Sequence, residues 1–141
     1  MVDASVAAKW FTKEEHSEKA VALLESGHSL HVPDYFHLEM DSIIVKWIRR
    51  TLISREEGNA IRTALGRLPL LAHPDGSFRK PAFDLAAGTR VSIYDCVYLS
   101  LAIALKIRMV TSDHRLLSSL KGTGMENYAV GLTDLSLSRA E

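Results

Sequence analysis

"MVTSDHRLL" (Met109–Leu117) runs two apolar residues into Thr111, Ser112 and Asp113, and then directly into a segment with helical spacing. Read locally, it is the end of a strand turning into a helix. Aspartate is favoured at that junction because its carboxylate accepts hydrogen bonds from the open amides of the first turn. The same junction is where open α/β sheets gather their ligand groups, beyond the carboxyl ends of parallel strands. Asp113 therefore has two readings, a helix cap and a site acid, and the rest of the chain must decide between them.

The pattern around this stretch repeats. Short apolar runs alternate with helical periods, which predicts an α/β domain with a mainly parallel sheet. Met1 and Val2 read as a strand, and Glu14 to Ser26 as an amphipathic helix ended by Gly27. Ser29 to Val32 is a second strand closed by Pro33, followed by a long helix over about 34–50 and another over about 54–67, where "SREE" has the form of a capping box. Leu68 to Ala72 predicts a strand, Phe83 to Ala87 a short helix stopped by Gly88, and Ser92 to Lys106 a further helix. "IRMVT" is the next strand and "YAVGL" a fifth, while Pro74, Gly76 and Pro81 mark a loop. There is no internal repeat or interdomain linker, so residues 1–141 are read as one domain.

Bulk composition agrees. At 141 residues, with 47% apolar and 24% charged side chains, the chain has the make-up of a globular domain with a substantial core. Its apolar runs are broken well short of the ~20 residues that a membrane span requires. Asp3 and Lys9 interrupt the start where the apolar stretch of a signal peptide would lie. Cys96 has no second cysteine to pair with, which fits a reducing cytoplasm. The 17 acids balance the 17 bases, so no global attraction to nucleic acid is indicated. Locally, Lys46, Arg49, Arg50, Arg55, Arg62 and Arg67 face only Glu56 and Glu57, which suits either a solvated helical face or a phosphate-binding patch.

Four acids stand at element ends or beside apolar faces. Asp3 follows the first strand. Glu39 falls beside the stripe Phe36, Met40, Ile43 and Trp47 of the long helix, whereas Asp41 is turned about 200° from it. Asp95 lies three residues after Ser92, a capping-box spacing, but also beside the apolar stripe Tyr94, Tyr98, Leu101 and Leu105. In a parallel sheet Asp3 and Asp113 would share the carboxyl edge, and helices entered from that edge would bring Asp95 and Glu39 toward them. Like charges about 4 Å apart repel by roughly 4 kcal/mol at an effective dielectric of 20, so such a cluster calls for a cation. All-oxygen donors favour Mg²⁺ or Mn²⁺, the ions suited to phosphodiester hydrolysis. The six histidines share no short spacing and suggest no zinc site.

"VDASVAAKWF" (Val2–Phe11), the acid of "LEMDSIIVKW" (Leu38–Trp47), "VSIYDCVYLSLA" (Val91–Ala102) and "VTSDHRLL" (Val110–Leu117) together resemble the signature blocks of the PIN domain, in particular the VapC-type toxins of toxin–antitoxin pairs. The resemblance covers nearly the whole chain in the right order. It implies a PIN-like α/β/α sandwich with a central, mainly parallel sheet, and a Mg²⁺- or Mn²⁺-dependent endoribonuclease. It places the family's acids on Asp3, Glu39, Asp95 and Asp113, with Ser5 and Thr111 or Ser112 as hydroxyls beside them. It further implies an RNA substrate, a homodimer and a small cognate antitoxin. Lys46, Arg49, Arg50 and Arg55 are the expected contacts to RNA phosphates, with Lys9 a further candidate near the site. Two departures stand out. Only Met1 and Val2 precede Asp3, so the first strand is short or the assigned start is late, and Ser42 stands where relatives commonly carry asparagine.

Two other classes compete with this reading. A phospho-acceptor receiver domain would show adjacent acids after the first strand and a lysine after the last, and "VDAS" and "YAVGLTD" show neither. A non-catalytic PIN scaffold that binds RNA or a protein partner would have no need for all four acids.

Overall fold

A computed structural model describes residues 1–137. Its strands lie where the apolar runs place them: β1 (Leu30–Pro33), β2 (Leu70–His73), β3 (Met109–Thr111) and β4 (Ala129–Gly131). β1 pairs with β2 in parallel, Leu30 opposite Leu70, and β3 pairs with β4 in parallel, Met109 opposite Ala129. The N-terminal residues join the two pairs. Val2 N–H donates to the His31 carbonyl at 3.0 Å, Val110 N–H to that of Met1 at 2.8 Å and Asp3 N–H to that of Val110 at 3.3 Å, with Val2 and Val110 forming a parallel bridge. The hydrogen-bonded order is thus β2, β1, Met1–Val2, β3, β4. All pairings are parallel, and the order in which successive strands are added reverses at Met1–Val2, the switch point at which doubly wound sheets open a crevice beyond their strand ends.

Side-chain alternation covers both faces. Met1, Met109 and Ala129 enter one apolar cluster, with Phe36, Met40, Leu101 and Leu116, while their neighbours Val2, Val110 and Val130 enter a second, with Ala20 and Leu23. Successive strand residues point to opposite faces, so two clusters mean helices on both sides of the sheet, the expected three-layer sandwich. The helices are α1 (Ala4–Ala7), α2 (Ser17–Leu24), α3 (Phe36–Arg49), α4 (Arg55–Arg67), α5 (Arg79–Gly88), α6 (Ile93–Leu105) and α7 (His114–Leu120). α6 is buried nearly all round, from Cys96 through Ala102, as befits the central helix of the larger cluster. Among the described residues no single helix is long and apolar enough to cross a membrane.

The capping box forms as read: Ser54 Oγ accepts from Glu57 N–H at 3.0 Å and the Glu57 carboxylate accepts from Ser54 N–H at 2.6 Å. Three expectations are corrected. The loop around Pro74, Gly76 and Pro81 is a 3₁₀ turn over Asp75–Phe78 leading into α5, which starts four residues before Phe83. Pro81 sits in its first turn, where a missing N–H leaves no helix bond unmade. In α3 the fully buried row is Phe36, Met40 and Ile44, with Ile43 and Trp47 only half-buried. In α6, Tyr94 leaves the apolar stripe and is 65% exposed, because the first turn projects beyond the packed part of the helix.

Candidate active site

The two ends flanking the switch point are stitched together by hydroxyls. Asp3, 6% exposed, caps α1: its Oδ1 accepts from Val6 N–H at 3.1 Å and from the Ser5 hydroxyl at 2.6 Å. The Thr111 hydroxyl donates to Asp3 Oδ2 and accepts from Asp113 N–H at 3.1 Å. Ser112 N–H donates to Ser5 Oγ at 2.9 Å, and the Ser112 hydroxyl is buried with no protein partner among the described residues. Asp3 and Asp113 thus stand on one framework built by Ser5 and Thr111.

Asp113 is the N-cap of α7, its Oδ1 accepting from Arg115 N–H at 2.9 Å and Leu116 N–H at 3.1 Å. Asp95 lies in the first turn of α6. There Ser92 Oγ accepts from Asp95 N–H at 3.1 Å while its hydroxyl donates to Asp95 Oδ2 at 2.9 Å. The helix is capped by Ser92, and the Asp95 carboxylate bonds that hydroxyl. Glu39, half-buried in the first turn of α3, accepts from the Tyr98 hydroxyl at 2.7 Å through Oε1. Each of these bonds engages one oxygen of Asp95, Asp113 or Glu39.

Electrostatics ties the four together. Burial raises the Asp3 pKa to about 6 against the opposing hydrogen bonds of Ser5, Thr111 and Val6, and the charge of Asp95 adds to the rise. Glu39 is pushed up to about 7, first by burial and then by the charges of Asp3 and Asp95, with the Tyr98 bond opposing. Asp95 is raised by burial and by the charge of Asp113, against the Ser92 bond. Among the described residues no three His, Cys, Asp or Glu side chains close into a ready-made ion cage. The acids are a charge-coupled set on one sheet edge.

The basic residues fall elsewhere. Lys46, Arg49 and Arg50 are seven to eleven positions beyond Glu39, about 10–17 Å along the axis of α3 at 1.5 Å per residue, and Arg55 opens α4. Arg49 and Arg55 line a groove of about 630 Å³ between α3 and α4 with Ile44 and Ile48. Arg62 is held by Asp41, at 2.6 and 3.2 Å. Nearer the acids, Lys9 donates to the Glu15 carbonyl at 2.9 Å and shares a cleft of about 250 Å³ with Thr111, Ser112 and His114. Ser42 is exposed. Tyr98, read from sequence as a core residue, is the partner of Glu39; the available signal was a phenol on a buried helical face, since a buried hydroxyl needs an acceptor.

Residues 1–121 match the profile of the PIN domain family. The chain is 30% identical to Ribonuclease VapC3 of Pyrobaculum aerophilum, over 82% of this chain and 90% of that protein. It is 32% identical to Ribonuclease VapC12 of Mycobacterium tuberculosis, over 71% and 76% respectively. In structure it resembles a chain of a toxin–antitoxin complex from Klebsiella pneumoniae, with a TM-score of 0.65 over 95% of this chain and 98% of that one; at 12% identity this is a likeness of fold.

Proposed function

The chain belongs to the PIN domain family, and from that premise we propose that it is a metal-dependent endoribonuclease, the toxin of a VapC-type toxin–antitoxin pair. The observation that carries the reading is the placement of Asp3, Glu39, Asp95 and Asp113 at the carboxyl edge of the sheet, three of them with proton affinities raised by burial and by one another. An all-carboxylate donor set of this kind fits a hard divalent cation. We assign Mg²⁺ or Mn²⁺ to it. Such an ion, when bound, lowers the pKa of a water and offsets charge on the scissile phosphate.

The residues divide the remaining work. Asp3, Asp95 and Asp113 hold the ion, directly or through water. The Ser5 and Thr111 hydroxyls fix the Asp3 carboxylate, and Thr111 also fixes the backbone of Asp113. Glu39, anchored by Tyr98, completes the set or orients the attacking water. Lys46, Arg49, Arg50 and Arg55 lie far enough along α3 and α4 to meet phosphates several nucleotides away rather than the scissile one. The proposal includes a cytoplasmic homodimer and a cognate antitoxin. A binding-only scaffold would keep Asp3 as a helix cap but has no use for the charge coupling that joins Asp95 to Asp3 and Glu39.

Cleavage of RNA should vanish in EDTA and return on addition of Mg²⁺ or Mn²⁺; cleavage that persists under chelation rules out the metal-dependent reading. Stability carries a second signature. Asp3 and Glu39 bind protons more tightly when folded, at about 6 and about 7, than their ordinary values of 3.8 and 4.5. Their contribution therefore favours folding at low pH, and in EDTA the melting temperature should fall as pH rises from about 4 to 7. Mg²⁺ should raise it again at the upper end of that window and change it little at the lower end. Scanning fluorimetry across the window, with and without Mg²⁺, tests this, and a metal-free melting temperature that climbs with pH would contradict it.

A further inference from the structure

Three tyrosines form a row that starts inside the site and ends in solvent. Tyr98 donates to Glu39 at 2.7 Å. Its ring meets that of Tyr35 edge-on, with centroids 5.4 Å apart, and Tyr35 meets Tyr94 in the same manner at 6.2 Å. The Tyr35 hydroxyl also donates to the Tyr94 carbonyl, which pins the backbone at the residue immediately before Asp95. Tyr94 itself is 65% exposed. Tyr94 is thus held by Tyr35 on one side and leaves the rest of its ring open to water at the edge of the acid cluster.

Next to it in the chain, Ile93 lines an open groove of about 460 Å³ together with Arg79, Lys80 and Phe83. Phe83 is 62% exposed and Ile93 38%. Lys80 is occupied by Asp84, at 2.7 Å, one turn away, whereas Arg79 forms no ion pair among the described residues. Aromatic faces beside a cationic groove are the two elements with which proteins hold single-stranded nucleic acid, bases stacking on the rings while cations follow the phosphates.

We propose that Tyr94 is a stacking platform for a base of single-stranded RNA flanking the scissile phosphate, with Arg79 meeting the backbone of the same strand. The inference rests on the ribonuclease reading and adds to it a residue that selects for an unpaired, accessible base. Substrates whose bases are locked in a duplex would be denied this contact, because a stacked and paired base has no free face to offer.

The test compares two probes of equal length and charge, an oligoadenylate and an abasic ribose–phosphate oligomer, binding to the Asp113→Asn protein, in which asparagine keeps the helix cap. Fluorescence anisotropy should show a preference for the oligoadenylate. Adding Tyr94→Ala should cut that preference by about tenfold, the scale of one base–aromatic stack, while leaving abasic affinity and its salt dependence unchanged. Tyr94→Phe should keep the preference within about threefold. A preference that survives Tyr94→Ala, or one that Tyr94→Phe fails to keep, overturns the platform. So does a change in oligomeric state on Tyr94→Ala by light scattering, which would place the ring between two copies of the chain. The two levels separate cleanly: an unmutated protein that cleaves no RNA removes the ribonuclease reading, and one that cleaves RNA while Tyr94→Ala binds both probes as before removes the platform alone.

Discussion

Asp95→Asn should lower metal-dependent RNA cleavage by a factor on the order of 10²–10³, the usual cost of deleting one charge that acts on the reacting centre. The metal-free protein should keep its melting temperature or gain a few degrees. The local hydrogen bonds explain why the two effects part company. Ser92 caps α6 by accepting from the backbone N–H of residue 95, and a side-chain change leaves that bond untouched. An asparagine oxygen can also still accept from the Ser92 hydroxyl, as Oδ2 does now. What the substitution removes is a charge that adds to the raised pKa values of both Asp3 and Glu39 and is itself raised by Asp113. Each kcal/mol of repulsion relieved is worth about 4 °C in a domain of this size. Cleavage of labelled RNA in Mg²⁺ and thermal unfolding in EDTA read the two quantities separately. A large drop in melting temperature would make the Asp95 carboxylate a structural cap.

How much of this could be read from the chain depended on whether the signals were contiguous. The β3–Asp113–α7 junction was legible because strand, cap and helix follow one another within nine residues, and each has its own local chemistry. The capping box of α4 was legible for the same reason. α1 was not: a helix of four residues, Ala4–Ala7, is too short to show a period. The start of α5 was hidden behind Pro81 and Gly76, which punctuate loops and first turns alike. Tyr94 shares its period with Tyr98 and so reads as core, since periodicity gives the face of a helix but not how far along its axis the packing extends. The basic stretch shows how sequence spacing and spatial spacing differ. Closeness in sequence suggested a patch, yet helical rise carries Lys46 to Arg50 away from Glu39, and Arg62 is taken up by Asp41 from a neighbouring helix. For long-range partners such as Tyr98 and Glu39, separated by 59 residues, the sequence shows that a buried phenol needs an acceptor but not which residue supplies it.

Glu39→Gln and Asp41→Asn should behave as opposites, although the two acids are two residues apart on one helix. Glu39 faces inward: it is half-buried, takes the Tyr98 hydroxyl on Oε1 and lies in the field of Asp3 and Asp95. Glutamine keeps the shape and can still accept that bond, so the fold should hold while cleavage falls on the order of 10² or more, as expected if the carboxylate orients the attacking water or meets the ion. Asp41 is turned about 200° around the helix, and its carboxylate meets Arg62, a pair whose side chains are 35% and 57% exposed. Solvent screens such a pair, so losing it changes stability little and has no route to the acids. Cleavage by Asp41→Asn should therefore stay within about threefold of the unmutated protein. Measuring both variants under one metal and RNA condition removes differences in substrate and loading. Equal cleavage by the two would reduce Glu39 to a structural acid held by Tyr98, and the site would then rest on Asp3, Asp95 and Asp113.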